Sequence, residues 1–171
     1  MNYSEITKLK NWKSHDVSHT QMKSANEIIP SVPGLYLIYT NTPISVFKTL
    51  KKNSDKGAVD IGLRTSNSFK INNDLLIKEN SKNNYCVYIG HHTNLKHRIK
   101  EHFWGSDGTG CLSLFKHNKL TKYKWEFYYL ELSRLKNGED SIEYLIGLTN
   151  FEVITQYNRS FFYAMSVTEF G

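Results

Sequence analysis

Tyr88-Ile89-Gly90-His91-His92-Thr93-Asn94-Leu95-Lys96-His97-Arg98-Ile99-Lys100-Glu101-His102-Phe103 changes its periodicity half-way along. Its first residues close a run, Tyr85-Cys86-Val87-Tyr88-Ile89, whose aromatic and β-branched side chains suit a strand ending at Gly90. Beyond the turn, Leu95, Ile99 and Phe103 recur at i, i+4 and i+8, the buried stripe of a helix. Thr93 or Asn94 can cap that helix. Arg98 and His102 stand four residues apart and therefore share one helical face, next to the face that the stripe anchors. The stretch predicts a strand, a turn and a helix that holds two polar side chains over a sheet.

Upstream, Ile29-Pro30-Ser31-Val32-Pro33-Gly34 stops any helix and delivers the chain into Leu35–Tyr39, a second strand-like run. Downstream, Trp125, Phe127 and Tyr129 alternate with Glu126 and Tyr128, which reads as a third strand. A helix is expected between Cys111 and Leu120. Another follows the Asn137-Gly138 turn, where Glu139 and Asp140 face the helix dipole and Ile142, Leu145 and Ile146 continue the pattern. A short helix is open around Tyr3–Trp12, in a polar N-terminal extension, residues 1–28. There, His15 and His19 have metal-ligand spacing only if the segment is helical, and no third ligand is near.

Residues 41–84 differ from their surroundings. A helix fits Ile44–Lys51, followed by a stretch rich in Asn, Ser and Lys, with eight basic and four acidic residues between Thr42 and Asn84. This is either a solvated surface insertion or an arm that contacts DNA. The expected fold is α/β (α+β): a small central antiparallel three-stranded sheet flanked by helices, with a large insertion between the first two strands, all in one domain over residues 1–171.

The 171 residues suffice for one ordinary domain, and 39% hydrophobic with 13% aromatic content can build its core. A formal charge of +6 favours anionic partners, because cations near phosphates release condensed counterions. Cys86 and Cys111 form no CxxC and fit thiols in a reducing compartment. No apolar run approaches the roughly 20 residues that span a bilayer, so a cytoplasmic location without membrane attachment is expected.

Gly34-Leu35-Tyr36 on one strand and Tyr88-Ile89-Gly90 on the next, with a helix bearing Arg98 after the second, resemble the GIY-YIG nuclease family. Arg98 follows Tyr88 by ten residues, at the spacing of the family's helix arginine, and His102 fits a histidine that several restriction and homing members add one turn later. The lead-in from Ile29 looks like that of the excision-repair version of the domain. Glu143-Tyr-Leu-Ile resembles the helix with the family's metal-binding glutamate, and Gln156-Tyr157-Asn158 its closing element. One departure stands out: more than forty residues separate strands that the family joins by a tight hairpin, so no short turn fixes their register.

The resemblance implies the following roles. Tyr36 is the general base that takes a proton from the attacking water, and His102 assists it as proton acceptor or through a hydrogen bond. Arg98 offers a planar fork to two phosphate oxygens, and Tyr88 bonds a phosphate or supports Tyr36. Glu143 holds one hard divalent cation, Mg²⁺ or Mn²⁺, and Asn158 orients water or the glutamate. Outside the pattern, Tyr36 and Tyr88 read as ordinary strand aromatics, Arg98 as a surface arginine and Glu143 as a solvated helix position. His91 and His92 read as loop residues, and His97 faces solvent.

The implied activity is that of a stand-alone, metal-dependent DNA endonuclease of restriction or mobile-element type. Sites of DNA contact fall to the N-terminal segment, residues 41–84 and Lys116–Lys124. One active site per chain implies either a homodimer on DNA or nicking. Two alternatives are a non-catalytic nucleic-acid-binding module that keeps the fold, and a small α/β interaction domain with an accidental likeness. Binding alone would not require the tyrosine, arginine and glutamate together.

Overall fold

The prolines before Gly34 lead the chain into the middle of an antiparallel sheet. In the computed structural model, which describes residues 11–71 and 84–131, the elements run β1 (Lys13–Asp16), α1 (Met22–Ile28), β2 (Gly34–Thr40), α2 (Ile44–Lys48), α3 (Ile61–Ile71), β3 (Tyr85–His92), α4 (Leu95–Trp104), two 3₁₀ turns (Leu114–Lys116 and Asn118–Leu120) and β4 (Trp125–Glu131). The sheet order is β1-β4-β2-β3, with every neighbouring pair antiparallel. All seven residues of β2 are buried, as its position between β3 and β4 requires.

The three expected strands are present, but the sheet has four, which corrects the three-stranded expectation. The added strand, Lys13-Ser14-His15-Asp16, pairs with Tyr129 to Glu126 of β4. It carries no apolar alternation because it is a short polar edge strand, and such composition is how sheets blunt an exposed edge. It is held by pairing and charge: Lys13 bonds Glu131, and its ammonium lies 6.0 Å from the Tyr129 ring centroid. Because His15 lies on a strand, the helical spacing that His15 and His19 would need is not formed.

The expected helix between Cys111 and Leu120 is also corrected, to two 3₁₀ turns. Ser113 sits in the left-handed region (φ 48°) and His117 is extended, so no continuous helix can pass through either. The broken path turns Leu112, Leu114, Phe115 and Leu120 inward, all buried. Helix α2 ends at Lys48, a turn earlier than Lys51.

Register between β2 and β3, unassisted by a hairpin, is set where the intervening segment leaves and returns. The Tyr85 hydroxyl donates to the Thr42 carbonyl, Thr40 Oγ1 bonds Thr42 Oγ1 at 2.7 Å and donates to the Lys124 carbonyl at 2.8 Å. Asn84 Nδ2 donates to Glu126 Oε2 at 2.9 Å, and Lys124 pairs with the other oxygen of Glu126. Buried polar groups that are paired in this way specify one alignment, since a slip would leave them unpaired. The described part of residues 41–84 also enters the core. Phe47 and Ile61 are fully buried, Phe47 meets Trp125 edge-on, and Gly62 lies so close to Leu50 that a Cβ would fall 2.0 Å from its carbonyl oxygen.

Helix α4 crosses one face of the sheet with Leu95, Ile99 and Phe103 fully buried. Asn94 is its cap, its side chain accepting from the His97 N–H at 2.9 Å. The next free donors are taken by the proline lead-in: Leu95 N–H bonds the Val32 carbonyl and Lys96 N–H the Pro30 carbonyl. The segment that feeds β2 therefore also ties down the start of α4. No helix among the described residues is long and apolar enough to cross a membrane.

Phe47→Ala should cost about 3–5 kcal/mol, the range for emptying a buried aromatic site. Leu63→Ala, on the exposed side of α3, should stay within about 0.5 kcal/mol of wild type. Urea titration of both variants checks this, and a neutral Phe47→Ala would detach α2 from the core.

Candidate active site

Register places Tyr36 opposite Gly90 on β3. An ideal Cβ on Gly90 would lie 2.5 Å from the Tyr36 hydroxyl and 3.0 Å from the Tyr88 ring, so only glycine leaves room for the phenol to lie across β3. Gly34 works similarly at the top of β2, where a Cβ would fall 2.5 Å from Leu95 of α4. The two glycines bring strand and helix close enough for their polar side chains to meet.

Four of the six expected residues converge here. Tyr36 Oη lies 2.9 Å from His102 Nε2 and accepts from Arg98 Nε at 3.2 Å. Tyr88 stacks on Tyr36 at 5.8 Å between centroids, packs on His102 at 4.6 Å, and is hydrogen-bonded to Tyr36. Arg98 is held at both ends of its guanidinium, with Nη1 donating to Glu101 Oε2 at 2.7 Å and Nη2 to the Gly110 carbonyl at 3.2 Å. Glu143 and Asn158, with the helix from Glu139 and the Gln156-Tyr157-Asn158 element, lie outside the described residues.

His102 has a defined tautomer. The Leu112 N–H reaches its Nδ1 at 3.4 Å, and a backbone N–H can only donate. In a neutral ring the proton is then on Nε2, which donates to Tyr36. Burial first, and the Arg98 charge second, hold His102 well below the usual histidine range, so the ring is neutral at pH 7. The Tyr36 oxygen thus receives two donors, one of them cationic. Burial nevertheless outweighs them: it is the largest influence on Tyr36 and, with Tyr88, raises the phenol well above its ordinary 10.0. The arrangement is a protonated phenol whose oxygen is surrounded by groups that would stabilise its anion.

Sequence reasoning missed Glu101, Gly110 and Leu112. Glu101 is three residues from Arg98 on α4, a spacing that pairs on any helix. The other two act through backbone atoms, which no side-chain pattern marks. His91 and His92 belong to β3 rather than to a loop, and the exposed His97 pairs with Glu101 Oε1 at 3.3 Å. Cys86 and Cys111 are free thiols; burial pushes that of Cys86 up to about 12, which removes it as a nucleophile at neutral pH. Among the described residues no group of three His, Cys, Asp or Glu side chains is placed to hold a metal ion. Glu101, the carboxylate beside Arg98, is already engaged by Arg98 and His97.

Residues 76–152 match the GIY-YIG catalytic domain. This chain contains a GIY-YIG domain. No curated protein and no solved structure gives a significant match. The match begins downstream of β2, so the first tyrosine is not within it. It is the pairing of Tyr36 with Gly90 that joins Gly34-Leu35-Tyr36 to the GIY-YIG domain. A GIY-YIG domain implies nuclease activity, and its nucleases generally depend on a divalent metal.

Gly90→Ala should destabilise the fold by about 1–3 kcal/mol, as overpacking does, and should push the Tyr36 ring off His102; denaturant melts read the first effect and crystallography the second. Acid should also weaken the fold. His102, His92 and His117 are all lowered from 6.5, chiefly by burial. Such groups favour the native state above their unfolded value, and that stability is lost as pH falls below it. Tm should therefore drop from pH 7 to pH 5, less steeply in His102→Gln, in which one of the three has been removed.

Proposed function

We propose that this protein is a metal-dependent DNA endonuclease that hydrolyses phosphodiester bonds at particular sites or structures, as restriction and mobile-element nucleases do. The observation that carries this is the contact of Tyr36 with both Arg98 and His102 around one phenol oxygen, within a chain that contains a GIY-YIG domain. Phosphodiester hydrolysis needs a base for water, charge stabilisation on phosphoryl oxygens and help for the leaving oxygen.

Tyr36 is the base. Its own proton leaves through Tyr88, whose hydroxyl accepts it while passing its own proton on to solvent, because the other two neighbours of the Tyr36 oxygen are donors. Arg98 and His102 then hold the phenolate by hydrogen bonds, so His102 acts as donor rather than as proton acceptor. Arg98 must exchange a partner to bind phosphate, and the Gly110 carbonyl is the weaker of its two ends, since the Glu101 contact is charge-assisted and shorter. Glu143 is the residue to hold Mg²⁺ or Mn²⁺, the nearby Glu101 being engaged. When bound, the ion lowers charge repulsion at the phosphate and assists the leaving oxygen. Asn158 orients water or Glu143. The lysines of residues 41–84 supply phosphate contacts. With one site per chain, cutting both strands takes two copies on the duplex or two encounters.

Supercoiled plasmid incubated with Mg²⁺ or EDTA tests the reading. Metal-dependent nicking or linearisation by the wild type is expected, falling about 10²–10³-fold in Arg98→Ala and about 10²–10⁴-fold in Tyr36→Phe, with metal-dependent cleavage lost in Glu143→Ala. Gel-shift binding without cleavage would instead support a non-catalytic nucleic-acid-binding module. The pH profile is a separate check. Below its pKa, the phenolate fraction grows tenfold per pH unit, and the Tyr36 pKa is raised. kcat/KM should keep rising through pH 9; a plateau near pH 7 would assign the base to another group.

A further inference from the structure

Arg98 and His102 each bond a backbone group of one loop: Arg98 the Gly110 carbonyl, and His102 the Leu112 N–H. That loop leaves α4 at Gly105 and has glycines at 105, 108 and 110. A chain so rich in glycine does not hold a position unaided. Its support comes from residues 53–59, between α2 and α3. Gly108 N–H bonds the Lys56 carbonyl at 2.8 Å, and Val59 N–H bonds the Cys111 carbonyl at 3.0 Å.

Asp55 is the centre of this support. It is buried, and its carboxylate accepts from Ser113 Oγ at 3.1 Å and from Lys116 Nζ. Its own turn is closed by Asn53 Oδ1, which accepts the Asp55 N–H, and by the Asp55 carbonyl, which accepts the Ala58 N–H. Ser113, the residue after Leu112, is a non-glycine residue at positive φ (48°). A hydroxyl bound to a buried carboxylate is a means of holding that disfavoured conformation. Gly105, where α4 ends, lies so near that a Cβ would be 2.6 Å from Asp55 Oδ2 and 3.0 Å from Ser113 Oγ. The carboxylate thus joins the C-terminal end of α4, Ser113 and Lys116 at one point.

We infer that Asp55 is a positioning residue for the active site: through Ser113 and the 105–113 loop it sets the Leu112 N–H that fixes the His102 tautomer and the Gly110 carbonyl that orients Arg98. Residues 41–71 then serve catalysis by bracing the site from behind, whatever contacts with DNA their lysines make. For catalysis the inference rests on the nuclease reading; for the state of His102 it does not.

Asp55→Ala and the isosteric Asp55→Asn, which keeps an acceptor for Ser113, test it in the full chain. ¹⁵N NMR of the histidine rings, with His102 assigned through His102→Gln, should show a single tautomer with Nε2 protonated in the wild type. In Asp55→Ala the His102 shifts should move towards a mixture of tautomers. In Asp55→Asn they should stay near wild type. On plasmid DNA, kcat should fall about 10- to 100-fold in Asp55→Ala with KM changed less than about threefold, the pattern of a displaced group, and Asp55→Asn should recover much of it. Unchanged His102 shifts and kcat in a folded Asp55→Ala would overturn the inference. Loss of folding in both variants would overturn it too, since Asp55 would then support the fold at large. If the wild type cuts no DNA, the nuclease reading fails while the NMR result still decides whether Asp55 sets the state of His102.

Discussion

The Tyr36 hydroxyl lies between His102 Nε2 and Arg98 Nε, in a space left by the missing side chain of Gly90. The rest of the structure depends on this meeting. It requires β2 to lie beside β3 in one register, α4 to cross the sheet at close range, and neighbouring rings to hold the phenol in place. Each requirement has its own device: the Thr40, Thr42 and Tyr85 network for register, Gly34 against Leu95 for the approach of α4, and the rings of Tyr88 and Phe127 packed on Tyr36. Burial opposes ionisation of the phenol, whereas the two donors favour it. For the proposed reaction that opposition matters, because a phenolate formed there would have its hydrogen bonds already in place.

Much of this was legible from Tyr88 to Phe103. A strand run, a capping residue and a stripe of three apolar residues specify an element pair by local physics, and the helix then dictates that Arg98 and His102 point the same way. Tyr36 was legible only by likeness, since forty residues of insertion conceal which strand it lies beside. The edge strand at Lys13 was invisible because an edge contributes backbone pairing and charge, neither of which leaves an apolar pattern. The 3₁₀ turns escaped for a related reason: Leu112, Leu114, Phe115 and Leu120 have near-helical spacing, and the backbone at Ser113 and His117 is decided by tertiary contacts. Asp55, in a run of lysine, asparagine and serine, looks solvated. Nothing local marks it as buried.

Helix α4 shows how one segment can serve two ends. Its leading N–H groups are consumed by the Asn94 side chain and by the carbonyls of Val32 and Pro30. The helix start is therefore not an open phosphate cradle, although bare helix starts often are. Positive charge at the site comes from the guanidinium of Arg98 instead. In return, the lead-in to β2 is fixed to the helix that carries Tyr36's partners, so strand and helix are aligned by the same hydrogen bonds.

The wide separation of the paired strands also bears on how the molecule comes into being. In a tight hairpin, partners such as Tyr36 and Gly90 would be a few residues apart; here more than fifty lie between them. By the logarithmic cost of closing loops, that adds roughly 2 kcal/mol of chain entropy to be overcome before the strands meet. The two strands meet only across the whole intervening segment. Until that closure is made, Arg98 and His102 lack the Tyr36 hydroxyl that they both bond in the folded chain.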